Sequence, residues 1–201
     1  MKLLARFVYV SVIFCIGSPA LAADGAGQFS VRGAGGQPCS VWTGIADSTD
    51  EAQRRDGIVT FQSWIAGYVT ASNRLAAETY DAMPFLDMVN VLAIVLNECR
   101  ANPDELTETT AARVLAAFAP SRVQAESPLV TVTDAGAQKT YRQETVAMIQ
   151  QKLIDKGYLD GDADGAMGKG TAAAISQYQA EVGLPATGEL SVDTVFKLLL
   201  N

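Results

Sequence analysis

"VAMIQQKLIDKGYLDGDADGAMGKGTAAAISQYQAEVGLPATGELSVDTVFKLL", residues 146–199, states one pattern twice. Ile149-x-Gln151 followed by Gly157-Tyr158 recurs as Ile175-x-Gln177 followed by Gly183-Leu184, with the same internal spacing. Gly165-x-Met167-x3-Thr171 returns as Gly188-x-Leu190-x3-Thr194. Two copies of a turn-then-helix unit predict an internally related three-helix domain. The apolar stripes agree. Val146, Ile149 and Leu153 fall at i, i+3 and i+7, Ala174, Ile175, Tyr178 and Val182 form a matching stripe, and Val195, Leu198 and Leu199 supply a third. Gly157 and Gly183 stand where a left-handed residue ends a helix.

The segment between the first two helices tests two ligand loops and fails both. Asp160, Asp162, Asp164 and Gly165 occupy positions 1, 3, 5 and 6 of a calcium loop, but position 12 is Thr171, where a bidentate Glu is required. Lys169 is followed by Gly170 before Thr171, so the Gly-Lys-[Ser/Thr] ending of a phosphate loop is missing. The expectation is a turn. Asp164 accepts from the backbone two residues on, Gly165 permits positive φ, Met167 plugs the core, and Gly168 to Thr171 open the second helix. Neither a metal nor a cofactor is expected.

These residues carry a family resemblance. Val146, Ile149, Gln150 and Leu153, then Gly157-Tyr158, then Asp164, Gly165, Met167, Gly168 and Thr171 follow in order the pattern of the three-helix peptidoglycan-binding domain attached to many bacterial cell-wall hydrolases, which they resemble. Ala174, Ile175, Tyr178 and Gln179, and finally Gly188, Leu190, Thr194 and Leu198, complete it. Met167 departs from it, because an aromatic is usual there. The resemblance implies peptidoglycan as partner, with Tyr158, Asp164, Gly165, Gly168, Thr171, Tyr178 and Gln179 as candidate binding residues. Open backbone donors at the second helix start would meet carboxylates and amides of a stem peptide or glycan, and Tyr158 or Tyr178 would pack on sugar or lactyl faces. Hydrolases of the family keep catalysis in a separate domain.

Upstream the period is also helical. Ile58, Phe61, Ile65, Tyr68 and Val69 mark one helix, and Met88, Val91, Leu92, Val95, Leu96 and Cys99 a second. Val114, Leu115 and Phe118 mark a third, with Thr107 as its cap. Trp42 and Trp64 read as core. "CSVW", "AGYVTASN" and "NECRANP" give residues 39–118 a resemblance to small disulfide-stapled periplasmic helical proteins, the acid-stress chaperones of the HdeA type and immunity-type domains. That resemblance implies client binding on acid unfolding, and assigns no residue.

The chain opens with Lys2 and Arg6, an apolar run from Phe7 to Ile16, and "ALA" at 20–22, the order of a secretory signal peptide. Cys15 leaves with it. Cys39 and Cys99 then remain as one pair in an exported protein, so a disulfide is the default, with free thiols or an intermolecular bridge as the alternative. Losing two positive charges moves the net charge from −7 to −9, which disfavours nucleic acid and anionic membrane surfaces. The chain has no histidine, which removes Ser-His-Asp and Cys-His catalysis and imidazole zinc sites.

The expected plan is all-α: signal 1–22, flexible Gly-rich leader 23–38, disulfide-stapled helical domain 39–121, linker 122–140 and peptidoglycan-binding-like domain 141–201. "LVTVT" within the linker has the β-branched content of a short strand. The expected protein is periplasmic or secreted, free of membrane after signal cleavage, and non-enzymatic, with no catalytic residues. It docks on peptidoglycan and positions the helical domain, for which a periplasmic protein is the candidate partner. The alternatives are a stress chaperone or inhibitor-type protein acting through the helical domain, and a carboxylate-pair wall hydrolase.

Overall fold

A computed structural model of the protein describes residues 23–84, 87–134 and 137–200, so the signal segment expected at 1–22 lies outside the described residues. The chain clusters into two units, Met1–Ser30 and Val31–Asn201. In the first, Asp24 Oδ1 accepts from the Ala26 and Gln28 N–H groups at 2.9 and 2.8 Å and closes a turn. The second holds all the helices described below.

Its helices are α1 (Cys39–Ala46), α2 (Glu51–Leu75), α3 (Met88–Ala101), α4 (Thr107–Phe118), α5 (Gln143–Asp155), α6 (Lys169–Glu181) and α7 (Val192–Leu200). An antiparallel hairpin, β1 (Leu129–Asp134) and β2 (Ala137–Arg142), separates α4 from α5. Among the described residues the fold is thus helical with one small two-stranded sheet. Asp50 and Asp87 start α2 and α3 by accepting from backbone N–H groups of the first turn, the ordinary work of an N-cap carboxylate. Phe61, Ile65 and Val69 of α2 are buried against α1 and α3, and Trp42 stacks on Phe61 with ring centroids 4.7 Å apart.

Three features depart from expectation. The Gly-rich leader is structured from Val31 on: Gly33–Gly36 forms a 3-10 turn against α2. A Cβ at Gly35 would stand 2.0 Å from the Trp64 ring, so this approach needs glycine. Trp64 Nε1 donates to the Arg32 carbonyl at 2.8 Å, and Trp42 Nε1 to that of Ala34 at 3.1 Å. Second, Thr107 is not a cap. Leu106 holds the cap position, and the buried Thr107 hydroxyl donates instead to the Gln37 carbonyl at 2.8 Å, tying the leader to α4. Third, the segment expected as linker is ordered beyond the short strand that "LVTVT" suggested. Val123 forms a β-bridge with Asp81, and "LVTVT" is β1, with Leu129 opposite Arg142 and Asp134 opposite Ala137.

Arg142, where β2 meets α5, joins the two helical groups. Its guanidinium lies 4.6 Å from the Tyr80 ring centroid, and donates to the Tyr80 hydroxyl at 3.0 Å and to the Ser127 carbonyl at 2.9 Å. Burial raises the Asp81 pKa, and the Arg142 charge acts against that rise. Further along, Phe196 of α7 meets Phe118 of α4 edge-on at 6.0 Å, within one continuous apolar core.

Cys39 and Cys99 form a disulfide across 60 residues of chain, and both are fully buried. Closing a loop of this length stabilises the fold by about 4 kcal/mol in the chain-entropy picture. The paired Cys39→Ser, Cys99→Ser variant should lose stability of that order in urea melts, and the parent should show no reactive thiol before reduction. An unchanged midpoint would reject the staple.

Candidate functional site

The two turns of the C-terminal helices are built alike, each around one buried glutamine. Gln150 of α5 shares the two N–H groups of Nε2 among Asp164 Oδ1 at 2.8 Å, the Ala166 carbonyl at 3.0 Å and Thr171 Oγ1 at 3.0 Å, while its Oε1 accepts the Gly165 N–H at 2.7 Å. Gln179 of α6 does the same one unit later. It donates to the Glu189 carbonyl at 2.9 Å and Thr194 Oγ1 at 2.9 Å and accepts the Gly188 N–H at 2.8 Å. Gly165 and Gly188 have φ of 74° and 73°, and a Cβ on either would strike backbone at 2.7 or 2.8 Å. Only glycine serves at both.

This geometry corrects the repeat's register. Gln150 pairs with Gln179, so Val146, Ile149 and Gln150 correspond to Ile175, Tyr178 and Gln179, not to positions three residues earlier. A shift of three keeps nearly the same helix face, which is why the apolar stripe could not distinguish the two alignments. The glycines that end the helices keep the expected alignment: Gly157 and Gly183 have φ of 79° and 73°. Measured from the glutamines, α5 therefore runs about one turn further than α6 before it ends.

The acidic loop is now placed. Asp164 Oδ1 accepts from the Ala166 N–H at 2.8 Å as well as from Gln150. These bonds, the Ala166 one first, hold its carboxyl below its ordinary pKa. Asp160 and Asp162 are not tied in this way: both are exposed. Among the described residues no group of three or more Cys, Asp or Glu side chains is arranged to hold a metal ion. Met167 is half-buried against the core.

Tyr158 and Tyr178 meet. Their rings stand edge to face, centroids 5.5 Å apart and planes at 80°, and border a shallow groove of about 460 Å³ with Lys156, Glu181, Val182 and Lys197. The extra turn of α5 is what carries Tyr158 there: its N–H bonds back to the Leu153 carbonyl at 2.8 Å and fixes the chain leaving α5. A hydrogen bond to the Glu181 carboxylate raises the Tyr158 pKa, and burial raises that of Tyr178. Lys197 donates to the Val182 carbonyl at 3.0 Å, at the C-terminal end of α6.

The seven candidates expected from the sequence thus divide by place. Tyr158 and Tyr178 border the groove, Asp164, Gly165 and Thr171 belong to the first turn, and Gln179 lies at the heart of the second. Gly168 precedes α6 without a side-chain cap, about 15 Å along the helix from Tyr178. Lys156, Glu181 and Lys197 were not anticipated, because only folding brings a charge from each of three segments to one groove. Gln150 stood in the family pattern without a role; its reappearance as Gln179 was the signal available.

Comparison with known families agrees with this architecture. A family model described as "Putative peptidoglycan binding domain" matches residues 142–198, under a third of the chain. The C-terminal three-helix segment is a domain of that kind, and its presence supports peptidoglycan as a ligand. Neither the curated proteins nor the solved structures include a match to the chain.

Gln150→Leu keeps the volume of the buried clamp but leaves the Gly165 N–H without its partner, which should cost about 3 kcal/mol in a thermal or denaturant melt. Asp164→Ala, at the exposed edge of the same network, should cost less; the reverse order would refute the clamp. Acid tests Asp164 separately. A carboxyl with a lowered folded pKa stabilises the fold above its unfolded pKa and loses that effect as pH falls through the folded value. The advantage of the parent over Asp164→Asn should be full at about pH 6 and vanish below the ordinary carboxylate range, read as the difference in Tm.

Proposed function

We propose that this is a non-catalytic, periplasmic or secreted protein that binds peptidoglycan through α5–α7 and thereby holds its disulfide-stapled helical domain at the cell wall. The family match over residues 142–198 carries this reading. The Tyr158 and Tyr178 groove supplies its chemistry. A half-buried aromatic face suits sugar or lactyl carbons, while Lys156 and Lys197 offer positive charge to wall carboxylates in an otherwise acidic chain. Tyr158 makes the main contact, with Tyr178 as its support. Asp164, Gly165, Thr171 and Gln179 act by holding the turns, and Gly168 leaves the first N–H groups of α6 open to a ligand amide or carboxylate.

A shallow groove on an acidic protein favours weak binding. The non-catalytic part of the proposal rests on residue types: the chain has no histidine, and the groove's one carboxylate, Glu181, is engaged by Tyr158. A two-carboxylate hydrolysis would need a second acid there. Among the described residues no helix is long and apolar enough to cross a membrane.

The full chain should sediment with purified peptidoglycan sacculi at low salt without releasing soluble fragments. Tyr158→Ala, at a half-exposed ring, should keep the helical circular dichroism and cut the bound fraction at least fivefold. Equal supernatants with and without sacculi would refute wall binding, and a Tyr158→Ala protein that sediments like its parent would move the site elsewhere.

A further inference from the structure

A second cavity lies where the hairpin, α3 and the C-terminal helices meet, and shares no lining residue with the tyrosine groove. It measures about 480 Å³, within the range of ordinary ligand sites. Its apolar lining includes Ile149, Leu190 and Val195, and its opposite wall carries Asp87 and Asn90 at the start of α3.

The hairpin contributes Gln138, Lys139, Thr140 and Tyr141, four consecutive residues of β2. Side chains alternate between the faces of a strand, so a run of consecutive residues lines a cavity only when the cavity follows the strand's edge. That edge is open. Among the described residues the sheet has two strands, and β1 occupies only one side of β2. The Gln143 N–H bonds to the Pro128 carbonyl at 2.9 Å, and backbone groups alternate in direction along an antiparallel strand. Tyr141 and Lys139 therefore pair with β1, while Gln138 and Thr140 turn their N–H and C=O groups to the open edge.

Two side chains add to this. Thr145 is 2% exposed and borders the cavity, yet its hydroxyl makes no hydrogen bond among the described residues. The Asn90 amide at the opposite wall is likewise without a partner there. Both groups face the cavity, where a ligand's donors and acceptors can reach them. Lys139 is paired with Glu189 at 3.1 Å, while Asp87, which caps α3 through the Val89 N–H, places an exposed carboxylate on the cavity's opposite wall.

We propose that this cleft receives an extended polypeptide segment of a partner protein, which adds as a third strand to the free edge of β2. One apolar side chain of the segment packs beside Leu190 and Val195, and a neighbouring Lys or Arg faces Asp87. Backbone pairing supplies affinity and the floor supplies selectivity, the usual division in strand addition. Four residues of β2 span about 13 Å, room for about four residues of an extended chain. The negative net charge of −7 steers a basic segment towards it. The regular edge suits an all-L chain, whereas wall stem peptides with D-residues break that pairing.

The test uses a fluorescein-labelled hexapeptide of alternating valine and threonine flanked by lysines, and a twin with its central amides N-methylated, titrated against the full chain by anisotropy. The plain peptide should bind at least tenfold more tightly than the twin. Asp87→Asn, which keeps the helix cap, should weaken it about threefold and flatten its salt dependence, and Asn90→Trp should abolish it with sacculus binding intact. Equal binding of the two peptides, no binding at millimolar peptide, or displacement by soluble muropeptides would each overturn the proposal.

Discussion

A buried carboxamide that satisfies a whole turn is the constraint from which the C-terminal helices take their form. A glutamine carries two donors and one acceptor oxygen on a neutral group, so it can sit in the core without the cost of a charge and still serve several backbone groups. Gln150 and Gln179 each hold a left-handed glycine N–H, a carbonyl one residue later and a threonine hydroxyl at the start of the next helix. Shortening either side chain would strand those groups in a domain too small to absorb the loss.

The two clamps also explain why the repeats are not identical. From Gln150 the helix continues about one turn further than from Gln179, and the following loop is longer to bring the chain back to Gly165. That loop holds the three aspartates. Their spacing imitates a calcium loop, but the physical task is return of the chain, with Asp164 closing the turn. The same extra turn sets Tyr158 against Tyr178, and with them the groove.

Two contacts between the helical groups differ in character. Phe196 on Phe118 extends one apolar core into the next, and Arg142 bonds across to Tyr80 and Ser127. Arg142 also ends β2, so the hairpin edge, the first C-terminal helix and the segment between α2 and α3 are tied at one residue. A protein docked on the wall by its tyrosine groove would keep its strand edge beside the start of α3, ready for a separate partner.

Local pattern was enough to place most helices. Apolar stripes at helical spacing announced α2 to α7, the glycines at 157 and 183 announced helix ends, and the one cysteine pair outside the expected signal segment announced the staple. The ordered family pattern identified the C-terminal domain from residues alone. Other features depended on partners distant in the chain. Gly35 is required by Trp64, Thr107 is claimed by Gln37, and β1 needs β2, so none has a meaning within its own segment. The repeat's register stayed ambiguous because a three-residue slip preserves a helix face, and hydrogen bonds from the glutamine side chains decided it. The groove's charges and the open strand edge arise only when segments far apart converge, because periodicity records which face is buried and not what it is buried against.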